Sequence, residues 1–342
     1  MNFHATHALQ PFWSMAAAAL QTRALEQALT LGLFEHLREP AGAAQVAAQL
    51  QLDPAATTVW LDLLWSMALL SRQCPLDAST PPRYSAAPLA LRHFVPGSAQ
   101  NCAQAWLYRA QFLQRFAGQW ETLLHQGFDP QGAAAPRGSW AQAARVQIAQ
   151  EQQVVTVPAV LDLLDTLAPL PETGRLLDLG GGPGHVGLAL AQRLPLWQGV
   201  LCDQAETAEV ARENILAAGL CGRMQALGCD LDTDAIGHGY DLIWCSAVLH
   251  FMRDPQALLR KAGAALNPGG RLLLAHAEQV DDAAMAARVL PFYGTLAVRG
   301  NHLPRAGEIA RMMAAAGLVD IQSLGSLDFP MAPVWVHAGR RP

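Results

Sequence analysis

The stretch LLDLGGGPGHVGLAL, residues 176–190, constrains the fold more than any other part of the chain. It reads as a buried strand, a glycine turn and a helix. An apolar strand that runs straight into a helix is the first half of a β–α–β unit, and such units build a parallel sheet covered by helices on both faces. The pattern then repeats. Strands are expected at 175–179, 199–202, 224–227, 241–245 and 271–275, with helices at 184–193, 206–218, 255–266 and 307–316. Two more strand candidates follow, at 319–327 and 334–340.

The first hundred residues differ. They predict a helix ending near Gly32 and Leu37, a short helix, a turn at 52–54, a second helix over 55–70 and a strand at 83–85. Helix, helix–turn–helix and a small wing form a winged-helix pattern. A DNA-reading helix needs basic residues for phosphates. Residues 1–100 carry five Arg, no Lys and six acids, and the second helix carries Asp62 and no Arg. Its face of Val59, Trp60, Leu63, Leu64 and Met67 suits packing, so dimerisation is favoured over nucleic acid. Residues 101–160 read as connecting helices broken by GFDPQGAAAPRGSW. Their aromatics, in WLYRAQFLQRFAGQW, suit a core or a lid over a flat apolar ligand. The expected domains are 1–100, 101–160 and 161–342.

Composition narrows the classes. Hydrophobic residues make up 51% of the 342 and charged residues 15%, with net charge −5. A chain like this fills a core, and it has no general attraction to nucleic acid or anionic lipid. FWSMAAAAL is too short to span a bilayer. No signal-peptide pattern is read at the start, so a cytoplasmic protein is expected. The six cysteines form no C-x-x-C and no zinc spacing, which favours reduced, buried thiols.

Gly182, Gly184 and Gly187 satisfy G-x-G-x-x-G, a dinucleotide signature when it follows a strand. Two residues argue against a pyrophosphate. Pro183 removes an N–H donor from the turn. Asp178 brings a carboxylate that repels phosphate and attracts a cation. S-adenosylmethionine (SAM) has an ammonium, a sulfonium and no phosphate. Downstream, Asp203 ends the second strand, where a carboxylate takes ribose hydroxyls. Asp230 ends the third, with Leu231 beside it, where an adenine amino group and ring could be met.

LLDLGGGPG, LGCDL, YDLIWCSAVLHFMRDP and LNPGGRLLLAHAE occur in this order and at these spacings. The chain resembles the class I SAM-dependent small-molecule O-methyltransferases of the caffeate and hydroxyindole type, in their bacterial secondary-metabolite branch. The resemblance covers nearly the whole chain. It implies an α/β fold: a Rossmann-like seven-stranded SAM-methyltransferase domain, its last strand antiparallel, behind a mostly helical, winged-helix-like dimerisation domain. It further implies a homodimer. It places Asp178, Gly180, Gly181 and Gly182 at the methionine end of the cofactor. Asp203 falls at the ribose, Asp230 and Leu231 at the adenine, and Gln204 among the residues binding the cofactor. Ser246 falls where the family often has a cofactor-contacting Lys.

The resemblance also points to a general base. His250 matches the family's catalytic His, but Phe251 and Met252 replace the Asp and Trp that usually follow. At the carboxyl end of a parallel strand, His250 would lie on the ligand edge of the sheet. An imidazole there suits proton removal near neutral pH. His276 stands where the family commonly has a Glu that orients the base. It is open to three roles: binding substrate, hydrogen bonding as a neutral ring, or acting with His250. Glu278, two residues on, would share its face if the strand continued, and would replace the missing carboxylate. A metal held by the two His lacks an evident third ligand. Asp254 precedes Pro255 as a helix cap. Phe292, Tyr293, Leu296, Arg299 and His302 are candidate pocket residues.

The expected activity is therefore methyl transfer from SAM to a hydroxyl of an apolar, aromatic or polycyclic metabolite. The alternatives are N- or C-methylation, SAM-assisted hydroxylation, decarboxylation or pericyclic chemistry, a ligand-responsive DNA regulator, and an NAD-linked dehydrogenase.

Overall fold

The computed structural model describes residues 6–75, 77, 80–129 and 139–342. Most of the Gly/Pro-rich interruption, 130–138, lies outside the described residues. The chain divides into two compact units, Met1–Gln111 and Phe112–Pro342.

The first unit holds α1 (Gln10–Thr30), α2 (Leu33–His36), β1 (Ala41–Gly42), α3 (Ala43–Leu50), α4 (Pro54–Ser66), β2 (Leu70–Gln73), β3 (Arg83–Ala86) and α5 (Pro88–His93). Helix α6 (Ala103–Gly118) begins in this unit and continues into the second. The strands form a small antiparallel sheet of order β1-β3-β2. Leu33, Phe34, Leu61, Leu64 and Tyr84 fill the core beneath it.

Local chemistry explains the breaks. Gly32 separates α1 from α2 because it adopts a φ of 65°, which is strained for other residues. Helix α4 opens on Asp53, whose carboxylate accepts from Ala56 N at 2.8 Å, with Pro54 at its start. Asp62 on α4 accepts from Arg72 Nη1 at 2.7 Å and from the Tyr84 hydroxyl at 2.8 Å. The wing's Arg72 is thus tied to the helix, and its guanidinium also lies 3.5 Å from the Trp65 ring centre. Val59 departs from the expected packing face and is 70% exposed. On α1, Phe12, Trp13 and Met15 are exposed as well. No helix among the described residues is long and apolar enough to cross a membrane.

The second unit opens with α7 (Trp120–Gln126), α8 (Ser139–Ala143), α9 (Ala149–Glu151) and α10 (Val157–Thr166). Between the last three lie π-helical turns at Ala144–Ile148 and Gln152–Thr156. The sheet region follows: β4 (Gly174–Leu179), α11 (His185–Arg193), β5 (Trp197–Asp203), α12 (Ala205–Ala217), β6 (Met224–Gly228) and β7 (Tyr240–Ser246). Then come α13 (Pro255–Ala265), β8 (Leu266–His276), α14 (Ala283–Val289), a third π-helical turn (Leu290–Gly294), α15 (Thr295–Val298) and α16 (Glu308–Ala315). Strands β9 (Val319–Leu327) and β10 (Val334–Arg340) complete the sheet.

The seven strands lie in the order β6-β5-β4-β7-β8-β10-β9. The first five pair in parallel, and β10 runs antiparallel to both β8 and β9. Side chains alternate faces along each strand. Leu177, Ile243 and Leu272 enter one core, and Leu176, Leu242 and Leu273 enter the other. Helices cover both faces, which is why the parallel strands are mostly apolar, with Asp178 of β4 a buried exception. The strand order reverses between β4 and its neighbours β5 and β7. Ligands of such sheets bind at the carboxyl ends of the strands beside this reversal.

Several expectations change. The second helix of the first unit, expected to reach 70, stops at Ser66; Ala68 takes a φ of 58°, which ends the helix, and Leu70 opens β2. The helix expected to reach 266 stops at Ala265, and β8 begins at Leu266. The cysteines are not all reduced and buried. Cys202 and Cys229 form a disulfide, Cys245 is buried, and Cys74 and Cys221 are exposed. A parallel crossover brings the ends of β5 and β6 side by side, so cysteines 27 positions apart meet.

Candidate active site

The glycine turn between β4 and α11 spends its own N–H groups on the protein. Gly180 N and Gly181 N donate to Cys202 O, at 2.8 and 3.2 Å. Gly182 N donates to Asp203 Oδ2 at 2.8 Å, and Gly184 N to Gly181 O at 3.0 Å. His185 N donates to Gln152 Oε1 at 3.0 Å. Pro183 has no N–H to give. A phosphate cradle needs such groups turned toward the ligand, and from Gly180 to His185 they are engaged. What the turn offers instead is close approach. Gly180 and Gly182 have φ of 72° and 58°, and a Cβ at Gly181 would fall 2.7 Å from the Asp178 carboxyl carbon.

Two carboxyl groups meet this turn. Asp178 is 2% exposed, and its Oδ2 accepts from Gly187 N at 2.9 Å. Burial pushes its pKa up to about 7; the Gly187 N–H opposes this, and the Asp203 charge adds to it. Asp203 also accepts from Gln204 N at 2.7 Å, and burial raises its pKa too. A buried acid so raised gains from a cation or from hydroxyl donors and loses from a phosphate. SAM brings an ammonium and ribose hydroxyls, which donate, so this pair of acceptors fits it.

Gln204 is exposed at the start of α12. Asp230 is exposed after β6, where its Oδ1 accepts from Asp232 N at 2.9 Å. Leu231 is buried, and its carbonyl accepts from Lys261 Nζ at 2.8 Å. Ser246, partly buried, ends β7 opposite Ala275 of β8.

Gln152 carries no motif and was not foreseen. Its Oε1 accepts from His185 N, and its Nε2 donates to Gly181 O at 2.9 Å. One side chain therefore holds both arms of the glycine turn. It sits at the first position of a π-helical turn, and such insertions shift the helical register by a residue. A 3.6-residue pattern search does not detect that shift.

The second half of the site hangs from β7. Ala247 takes a φ of 55° just past the strand, and its N donates to Ala275 O at 2.9 Å. Such a conformation is rare for alanine, and non-glycine residues held there cluster at functional sites. It leads into a 3₁₀ turn, Leu249–Phe251, whose His250 carbonyl accepts from Asn301 Nδ2 at 2.8 Å. Asn301 was also missed. The turn touches the glycine loop, because a Cβ at Gly180 would fall 2.4 Å from Val248 Cγ2.

His250 is 5% exposed and His276 is fully buried. His250 Nδ1 and His276 Nε2 are 3.0 Å apart, and His276 Nδ1 lies 2.7 Å from Ala277 O. Burial lowers the His276 pKa to about 4. Aromatic rings frame the pair. The Phe251 ring centre is 3.9 Å from that of His250, Tyr293 is 5.6 Å away, and Trp140 packs edge-on against Phe251 at 5.0 Å.

Glu278 takes a different place from the one its spacing suggests. Strand β8 stops at His276, so alternation no longer governs Glu278. Its Oε1 pairs with His337 Nε2 of β10 at 2.5 Å, and its Oε2 accepts from Gly307 N at 3.3 Å. Among the pocket candidates, Tyr293 reaches the His pair. Phe292 and Leu296 are partly buried on the same segment, their carbonyls accepting from Thr295 Oγ1 and Asn301 N. His302 Nε2 lies 3.2 Å from Glu308 Oε1. Arg299 is exposed, with its guanidinium 5.4 and 5.8 Å from the ring centres of Phe112 and Phe128. Asp254 caps α13 by accepting from Ala257 N at 2.9 Å.

A parallel sheet with an antiparallel strand inserted near one edge, an acid-flanked glycine turn and a His at the end of the fourth strand of the sheet region define a class. The chain belongs to the methyltransferase-domain family, whose model matches residues 149–323. An O-methyltransferase dimerisation domain matches residues 13–95. Demethylspheroidene O-methyltransferase of Cereibacter sphaeroides is 31% identical over 178 residues, 50% of this chain and 45% of that protein. L-tyrosine C(3)-methyltransferase of Streptomyces lavendulae is 29% identical over 166 residues, 47% of this chain and 45% of that protein. The matches thus span less than half the length of these curated relatives. Human N-acetylserotonin methyltransferase, solved in complex with SAM, superposes with a TM-score of 0.79 at 19% identity, covering 100% of this chain and 99% of that one.

Proposed function

We propose that the protein is a SAM-dependent O-methyltransferase acting on a hydroxyl of an apolar, aromatic secondary metabolite, as a homodimer formed through its N-terminal unit. The observation that carries this reading is the contact between the two halves of the site. The turn bearing His250 packs on Gly180, within the acid-flanked loop that fits SAM. When bound, SAM supplies a methyl group activated by its sulfonium, with a neutral thioether as leaving group.

The chain's residues have simpler tasks. Asp178 receives the ammonium end and Asp203 the ribose hydroxyls. Val248 and Gly180 hold the base-bearing turn against the loop. His250 accepts the proton of the acceptor hydroxyl as the oxygen becomes nucleophilic. Phe251, Tyr293 and Trp140 give that acceptor an apolar, aromatic surround. Most of the catalytic gain is alignment, because the leaving group is already activated. The exposed Phe12, Trp13 and Met15 of α1 suit burial against a second copy.

Calorimetric titration with SAM and NADH separately tests the cofactor: SAM is expected to bind and NADH not. With an accepted substrate, His250→Ala is expected to retain SAM affinity and lose about 10²–10⁴-fold in turnover, the usual range for a general base. Unchanged turnover would remove His250 from that role. A second reading, methylation at carbon, is favoured by His276 standing where the O-methyltransferase pattern has a carboxylate, and one relative carries out C-methylation by name. Fragmentation of the product by mass spectrometry separates an O-methyl ether from a C-methyl.

A further inference from the structure

We propose that His276 is a positioning residue that sets which nitrogen of His250 carries the lone pair; this rests on His250 being the base. A carbonyl oxygen only accepts, so His276 Nδ1, 2.7 Å from Ala277 O, carries a hydrogen. A buried ring is held neutral, as the lowering of its pKa to about 4 indicates, so that hydrogen is its only one. His276 Nε2 is then an acceptor. Its partner at 3.0 Å, His250 Nδ1, must donate. A neutral His250 therefore bears its lone pair on Nε2, and that is the atom that takes the acceptor's proton.

The groups around His276 are consistent with this. Glu278 is engaged by His337 and Gly307 N, and His302 lies against Glu308. Tyr293 packs at 6.0 Å between ring centres, and Trp335 lies opposite on β10. The carboxylate implied here by family resemblance would select the same tautomer and add a negative charge that favours imidazolium. His276 selects the tautomer without adding that charge. Its partner Ala277 O follows directly in the chain, so the relay ends on backbone.

The test is nitrogen-15 NMR of imidazole side chains in the full-length protein at pH 8, with His250→Gln used to assign the signals. In the unsubstituted protein, His250 Nε2 is expected to resonate as an unprotonated nitrogen and Nδ1 as a protonated one. His276→Gln, whose carbonyl oxygen can accept the same hydrogen bond, should keep that pattern. His276→Phe, similar in size but with no acceptor, should shift His250 toward the Nε2–H tautomer while the backbone amide spectrum stays folded. A protonated Nε2 on His250 in the unsubstituted protein overturns the proposal. So does an unchanged tautomer in a folded His276→Phe. Neither outcome depends on methyl transfer, so this assignment and the proposed activity fail separately.

Discussion

Replacing Asp178 by Asn should stabilise the protein without ligand while weakening its hold on SAM. In the folded chain, burial displaces this acid from 3.8 to about 7. The folded state therefore binds more protons than the unfolded chain across that window, and stability falls as pH rises through it. At about 1.36 kcal/mol for each pH unit, the full displacement amounts to about 4 kcal/mol above neutrality. Asn never ionises, and its carbonyl oxygen can still accept from Gly187 N. The stability difference between Asp178→Asn and the unsubstituted protein should widen by about 2.5 kcal/mol between pH 5 and pH 8, in favour of Asn. Urea denaturation at each pH measures it. The cofactor acts in the opposite sense. Its ammonium would compensate the buried carboxylate, so the substitution should reduce SAM affinity by about tenfold or more, as for loss of a hydrogen bond to a charged group. A stability difference that stays flat with pH would refute the burial argument. Unchanged SAM affinity would refute the placement of the ammonium.

Gln152→Ala removes the hydrogen bonds to Gly181 O and His185 N, each worth about 0.5–1.5 kcal/mol; SAM affinity by calorimetry should fall by roughly tenfold, and no change would mean the clamp is idle. Gly187→Ala would put a methyl 2.2 Å from Leu201 Cδ2 and 3.0 Å from Asp178 Cβ, so a loss of about 1–3 kcal/mol is expected by denaturation, as for other overpacked cores. Exchanging Phe12 and Trp13 together for Glu should convert a dimer into a monomer by light scattering; a dimer that persists places the interface elsewhere.

Much of the sheet was legible because its signals are local. An apolar strand, a glycine turn and a helix such as 176–190 leave little choice of architecture, and the alternation of Leu176 and Leu177 between two cores follows from the pleat. The cap at Asp254 before Pro255 was legible for the same reason, whereas the sequence places Asp53 only within a turn and the structure makes it the cap of α4. Gln152 was not, because a π-helical insertion shifts its helix away from the period that a pattern search assumes. Asn301 was not, because its hydrogen bond to the His250 carbonyl joins residues far apart in the chain.

The sequence by itself determined the class of fold, the glycine turn with its two carboxylates, and the His at the end of a strand. These depend on residues close in the chain or on the simple alternation of elements. Tertiary structure decided how those parts engage. Parallel pairing of β7 with β8 set His250 against His276, residues that no spacing rule joins. The end of β8 at His276 turned Glu278 toward His337, where an extrapolated strand had pointed it toward the base. The loop N–H groups that a glycine signature offers to a phosphate were consumed by Cys202, Asp203 and Gln152. A motif shows which groups are near one another along the chain. Whether those groups remain available to a ligand depends on what the rest of the fold packs against them.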